Sequence, residues 1–172
     1  MSGGPTTVLV VDDERLARER LLVLLQGEPG TKVVGECSSG LDALAAITRE
    51  RPELVFLDVQ MPDLDGLGVV AALGEDETPE IIFVTAHDTY MERAFELHAV
   101  DYLRKPYTNA RFASALGHAM RRIHARRAEA APLRMSFPAV GPSLFLASEL
   151  TVENATPNLA MSYQKDRKGG VR

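Results

Sequence analysis

The chain has 172 residues, 45% hydrophobic and 25% charged, with 24 Asp+Glu against 19 Lys+Arg. These proportions are those of a globular domain; they exclude wholesale disorder and argue against a constitutive nucleic-acid binder driven by phosphate neutralisation. A single cysteine, Cys37, excludes an intrachain disulfide, and the absence of a signal peptide or a run of roughly 18 apolar residues predicts a cytoplasmic setting with no membrane partner.

The elements come in alternation. Val8-Leu9-Val10-Val11 predicts a buried strand ending in Asp12-Asp13. Helical spacing of Leu16, Arg20, Val23 and Leu24 follows within Glu14 to Gln26, stopped by Gly27 and Pro29-Gly30. Lys32 to Glu36 is short and polar, as an edge strand would be. Ser39 can cap a helix carrying Leu41, Leu44, Ala45 and Ile47, which Pro52 ends. Leu54-Val55-Phe56-Leu57 ends in Asp58, and a short helix covers Leu67 to Leu73. Ile81-Ile82-Phe83-Val84 ends in Thr85, and Asp88 can cap a helix with Met91, Ala94, Phe95 and Leu97. Val100 to Leu103 runs into Arg104-Lys105-Pro106. A last helix starts near Thr108, with Phe112, Leu116, Met120 and Ile123 on one face.

Five strand–helix units in about 120 residues imply an α/β fold, a doubly wound five-stranded parallel sheet with right-handed crossovers. This domain is expected to span residues 1–127. Residues 128–172 read as a linker with a poorly ordered or truncated C-terminal extension. They carry four prolines, and 45 residues are few for an independent core. Residues 1–127 hold 14 basic and 20 acidic side chains; the tail holds five and four.

Functional groups of such sheets gather at the carboxyl ends of the strands. There the sequence puts Asp12, Asp13 and Asp58, the Thr85 hydroxyl and the Lys105 ammonium. Three clustered carboxylates repel one another and raise one another's pKa, which a hard dication such as Mg²⁺ relieves. One carboxylate can then act as a nucleophile toward phosphorus, with Lys105 and Thr85 offsetting charge on the transferred group.

At these residues the chain resembles the receiver domain of two-component response regulators. The resemblance rests on Val8 to Glu14, on Leu57-Asp58-Val59-Gln60-Met61-Pro62-Asp63-Leu64-Asp65-Gly66, on Val84-Thr85-Ala86 and on Tyr102-Leu103-Arg104-Lys105-Pro106. It implies a flavodoxin-like strand order 2-1-3-4-5 and phosphorylation of Asp58 by a histidine kinase. It implies Mg²⁺ held by Asp12, Asp13, Asp58 and the backbone carbonyl of Gln60. Thr85 and Lys105 become the phosphate-sensing pair, and Tyr102 the aromatic switch that turns inward. A cis Lys105-Pro106 bond is expected by the same analogy. The receiver would catalyse its own phosphotransfer and dephosphorylation and be no enzyme otherwise. It would form a homodimer on phosphorylation.

The stretch from His87 to Leu103 is similar to receivers of the LytR/AlgR (LytTR) class, whose output is transcription through a C-terminal DNA-binding domain. Residues 128–172 are too few for that domain, so DNA is a partner only if an effector is present. A stand-alone receiver acting through protein–protein binding is the alternative.

Other residues carry plainer expectations. Asp63 and Asp65 have the Asp-x-Asp-Gly form of haloacid-dehalogenase-type phosphatases, but they stand apart from the strand end; loop and helix-capping roles are expected. His87, His98, His118 and His124 share no ligand spacing, though His87 lies at the pocket rim. Cys37 is expected to be a small buried or half-buried strand-end residue. Arg121, Arg122, Arg126 and Arg127 form a basic helix end facing solvent and the helix dipole, or else a phosphate-contacting arm. The fourth helix, fifth strand and fifth helix offer an interaction face through Met91, Phe95 and Leu97, near Glu92, Arg93, Asp101 and Arg122.

Overall fold

The computed structural model describes residues 4–74, 78–87 and 96–130. Among the described residues there are five strands: β1 (Thr6–Val11), β2 (Thr31–Cys37), β3 (Leu54–Leu57), β4 (Glu80–Thr85) and β5 (Asp101–Arg104). The described helices are α1 (Arg15–Gln26), α2 (Gly40–Glu50), α3 (Gly66–Ala72) and α4 (Asn109–Ala130). The helix expected from Asp88 lies largely outside the described residues, as do Met91, Glu92, Arg93 and Phe95. The chain separates into two compact units, Met1–Leu133 and Arg134–Arg172; the second lies outside the described residues.

All strand pairs are parallel, in the order β2-β1-β3-β4-β5. The interior strands read as unbroken apolar runs because both their faces are covered. Side chains alternate between two layers. Val8, Val10, Phe56 and Ile82 pack with Leu21, Leu25 and Phe112 of α1 and α4, while Leu9, Val55, Leu57 and Phe83 pack with Ala43, Ile47 and Val69 of α2 and α3. Phe56 and Phe112 stack with ring centroids 5.6 Å apart, which seats α4 on the sheet.

Local signals act as the sequence predicts at several termini. The Ser39 hydroxyl accepts a hydrogen bond from the Asp42 amide at 3.2 Å. Asp65 accepts from the Gly68 amide at 2.6 Å and caps α3, while Asp63 sits in the preceding loop with a positive φ of 71°. Thr108 Oγ1 accepts from the Arg111 amide at 3.1 Å, opening α4. α2 ends at Arg51, left-handed at φ 46°, because the residue before Pro52 is steered out of the helical region.

Four expectations are corrected. α1 buries Leu21 and Leu25, while Leu16 and Val23 are 64% and 66% exposed. With apolar residues at 16 and at 21–25, the helix has no single apolar stripe to read. In α2 the core is met by Ala43, Ala46 and Ile47, while Leu41 is exposed. β2 is indeed an edge strand, yet at seven residues it is the longest; its register shifts past β1 between Val8 and Leu9. Finally, α4 continues to Ala130, so the expected boundary at residue 127 falls inside a helix.

Candidate functional site

β1 and β3 are hydrogen-bonded neighbours, so their ends deliver carboxylates side by side. Asp12 follows Val11 and is fully buried; Asp58 follows Leu57 and is 5% exposed. The Asp58 amide donates to the Val11 carbonyl at 2.8 Å, and the Asp12 amide donates to the Cys37 carbonyl at 3.1 Å. Asp12 Oδ1 accepts from the Glu14 amide at 3.0 Å and Asp58 Oδ1 from the Gln60 amide at 3.2 Å. Asp13 reaches in from the exposed side. One carboxylate oxygen from each of the three lies within 4.8 Å of the others.

Lys105 comes from the far edge of the sheet, one residue beyond β5. Its amide donates to the Thr85 carbonyl at 2.8 Å, which extends the β4–β5 ladder past Arg104, and the Lys105–Pro106 bond is cis. Its ammonium nitrogen stands 2.6 Å from Asp12 Oδ2 and 3.2 Å from Asp58 Oδ2. Burial pushes the carboxyls of Asp12 and Asp58 above the usual carboxylate range, even though Lys105 pulls the other way. Burial alone would depress the Lys105 ammonium. The hydrogen bond to Asp12 and the charges of Asp58 and Asp12 outweigh it, so its pKa is raised.

These residues fit a hard dication. All donors are oxygen, and Lys105 offsets only one of the three carboxylate charges, leaving two negative charges for the ion to meet. Gln60 lies with Asp13, Val59, Met61, Pro62 and Asp65 around an open depression beside the cluster. Among the described residues, no other group of carboxylates, histidines and cysteine converges this way.

Thr85 is fully buried at the end of β4. Its hydroxyl accepts from the His87 amide at 3.4 Å. Tyr102 stands opposite Phe83 in the β4–β5 register, is 7% exposed and packs in the core layer of Phe83. Its hydroxyl donates to the carbonyl of His87. His87 therefore meets both Thr85 and Tyr102 through its backbone, with its side chain exposed at the rim.

The remaining expectations sort as follows. Cys37 is half-buried at the end of β2, and burial raises its thiol pKa. The basic end of α4 does face solvent at Arg121, Arg122 and Arg126, but it also finds carboxylate partners that the sequence did not foresee. Arg122 and Arg126 pair with Glu80, a carboxylate 3% exposed, and Arg127 pairs with Glu53. Asp101 is held by Arg111, and His118 Nδ1 lies 2.8 Å from it. Leu97 is partly buried against the core.

Two arginines that the sequence did not single out hold backbone next to the site. Arg111 donates to the Tyr102 carbonyl at 2.8 Å. Arg18 donates to the carbonyl of Asp12 at 2.8 Å and to that of Asp13 at 3.3 Å. An arginine one turn into the helix after Asp12-Asp13 was the available signal, because long helical side chains point back toward the N-terminus.

Comparison with known proteins agrees with this geometry. A family model described as the response regulator receiver domain matches residues 8–117. The transcriptional regulatory protein BtsR of Salmonella typhi is 45% identical over 120 residues, 70% of this chain and 50% of that protein. BtsR of Escherichia coli K12 is 48% identical over 109 residues, 63% of this chain and 46% of that protein. The chain thus spans about half the length of these relatives. The response regulatory domain of mrkE from Klebsiella pneumoniae superposes with a TM-score of 0.64 at 31% identity, covering 70% of this chain and 99% of that one. The REC domain of AraT from Geobacillus stearothermophilus gives 0.66 at 28% identity, covering 71% and 98%. With five parallel strands in the order 2-1-3-4-5 and a matched segment that carries every one of the strand-end residues, the chain belongs to the response regulator receiver domains of two-component systems.

Proposed function

We propose that the chain accepts a phosphoryl group on Asp58 from a histidine kinase in a Mg²⁺-dependent reaction, and that the modified receiver controls transcription. The observation that carries this reading is the cluster itself, three carboxylates within 4.8 Å with Lys105 between Asp12 and Asp58. A carboxylate oxygen of Asp58 attacks phosphorus, the P–N bond to the kinase histidine breaks, and the ring nitrogen leaves with the bonding electrons. The chemistry Mg²⁺ supplies, when held by Asp12, Asp13, Asp58 and the Gln60 carbonyl, is neutralisation of charge on the phosphoryl oxygens. Lys105 stays paired with Asp12 and offers its ammonium to the new phosphate. Thr85 donates its hydroxyl to the same group. Catalysis is confined to the chain's own phosphorylation and dephosphorylation.

Phosphate contacts with Thr85 and Lys105 bias the domain toward one conformation. Tyr102, linked to Thr85 through His87, is the aromatic readout. The names of the BtsR relatives support transcriptional output, and the His87–Leu103 stretch supports a LytTR-class regulator that dimerises when phosphorylated.

The test is labelling with a radioactive small phosphodonor. Incorporation that requires Mg²⁺ and vanishes in Asp58→Asn is the expected result; undiminished labelling of that variant overturns the assignment. Light scattering with Mg²⁺ and beryllofluoride, a phosphoryl mimic, tests dimerisation, which an unchanged monomer that binds the mimic would refute.

A further inference from the structure

We propose that Arg18 is a positioning residue for the divalent-ion site, holding the Asp12–Asp13 loop in its metal-ready shape through backbone contacts. The inference rests on the Mg²⁺-dependent reading above and extends it to a residue outside the acidic cluster.

The Asp12 and Asp13 carbonyls sit between the end of β1 and the first turn of α1. Among the hydrogen bonds described, neither is taken up by the sheet or by the helix ladder, whose first carbonyl is that of Glu14, bonded by the Arg18 amide at 3.1 Å. Arg18 Nη1 supplies both with a donor, at 2.8 and 3.3 Å. The guanidinium is itself tethered, its Nε donating to Glu36 Oε2 at 3.4 Å from the end of β2. The side chain is only 15% exposed, so it is packed into this position rather than waving in solvent. One planar group thus ties the β1–α1 loop to the neighbouring strand end. The two carboxylates of that loop are two of the three that converge.

A cation near a metal site has two opposed effects. Its charge repels a dication, so losing it would tighten metal binding. Its hydrogen bonds fix the loop, so losing them would let Asp12 and Asp13 spread and weaken binding. The contacts run to backbone carbonyls, not to the carboxylates, and the Arg18 charge is already offset by Glu36, whereas among the hydrogen bonds described no other group holds the two carbonyls. The structure therefore assigns the larger effect to positioning, and this fixes the sign of the outcome.

The experiment measures Mg²⁺ affinity of the full chain by calorimetry without any phosphodonor, for the parent, Arg18→Gln and Arg18→Lys. The expected result is a dissociation constant raised about tenfold in Arg18→Gln. Arg18→Lys, which keeps the charge but loses the fork and the Glu36 tether, is expected between the two. Labelling of Arg18→Gln from a small phosphodonor is expected to recover toward the parent maximum as Mg²⁺ is raised, a split that general loss of structure would not give. Unchanged or tighter Mg²⁺ binding in Arg18→Gln overturns the proposal. Should Arg18→Gln not fold, Glu36→Ala, which removes the acceptor of the tether, is expected to weaken binding in the same direction, and parent-like affinity there overturns it. A parent chain that binds no Mg²⁺ overturns the underlying reading, and the two failures are distinct.

Discussion

Lys105 Nζ lies 2.6 Å from Asp12 Oδ2, and Asp12 has no solvent contact. The ammonium is the charge partner that makes two buried carboxylates tolerable. Removing one partner of such a group strands the other, at a cost of about 3–5 kcal/mol. Lys105→Ala is therefore expected to lower the thermal midpoint of the metal-free chain sharply. Added Mg²⁺ should restore more stability to this variant than it gives the parent, because the dication takes over the work of the missing ammonium. Equal Mg²⁺-induced gains in calorimetric scans of the two proteins would contradict this.

Two glycines permit the close packing that aims Asp58. A Cβ on Gly66 would collide with the Asp58 carbonyl oxygen, and one on Gly40 with the Leu64 carbonyl. In both cases the obstacle is backbone, which cannot step aside. Gly66→Ala and Gly40→Ala are each expected to cost about 1–3 kcal/mol in denaturant unfolding. Gly66→Ala should also slow labelling of Asp58 beyond its effect on stability. Gly117, inside α4, is the control. The nearest neighbour of its added Cβ is the end of the Arg121 side chain at 3.7 Å, so Gly117→Ala should stabilise by about 0.5–1 kcal/mol.

Asp101 gives a pH-dependent contribution. Burial would raise its carboxyl, but Arg111, the Tyr102 amide and His118 together hold it below the usual carboxylate range. A carboxylate depressed in the fold contributes stability above its unfolded value of about 3.9 and loses it as pH falls through the lower folded value. The gap between the parent and Asp101→Asn is expected to be about 1–3 kcal/mol at neutral pH. It should narrow as pH falls below the unfolded value and close as pH passes through the lower folded one. Urea unfolding at several pH values measures it, and a pH-independent gap would refute the linkage.

Glu80 and its arginines predict an asymmetry. The carboxylate is 3% exposed, whereas the Arg122 and Arg126 side chains are 52% and 59% exposed. Losing Glu80 leaves two cations that can turn to water. Losing both arginines leaves a buried charge alone. The double variant Arg122→Ala/Arg126→Ala should thus cost about 3 kcal/mol or more, and Glu80→Gln clearly less. Each single arginine variant should be mild, since the other remains. Equal costs for the double variant and Glu80→Gln in chemical unfolding would refute this.

Asp12, Asp58 and Thr85 were legible because each directly follows an apolar run, with Asp13 and Lys105 one residue further along, and parallel topology sends all such ends to one side. What escaped the sequence depends on register. Glu53 and Glu80 are brought together because Leu54 pairs with Glu80 across β3 and β4. Only then do the arginines of α4 acquire partners, more than 40 positions away in the chain. Arg18 and Arg111 were hidden for a related reason. They grip carbonyl oxygens, which every residue has and no motif marks. The α1 core face was misread because leucine and valine fill every position from 21 to 25, so spacing alone could not choose between Leu21–Leu25 and Leu16–Val23.

α4, with 22 residues, is about 33 Å long at 1.5 Å per residue. Arg111 and His118 tie its first half to Asp101 at the start of β5, and Arg122, Arg126 and Arg127 tie its later part to Glu80 at the start of β4 and to Glu53 just before β3. A displacement of the helix along the sheet has to break these pairs first, and because most of their basic partners are half-exposed, raising the salt concentration should ease it.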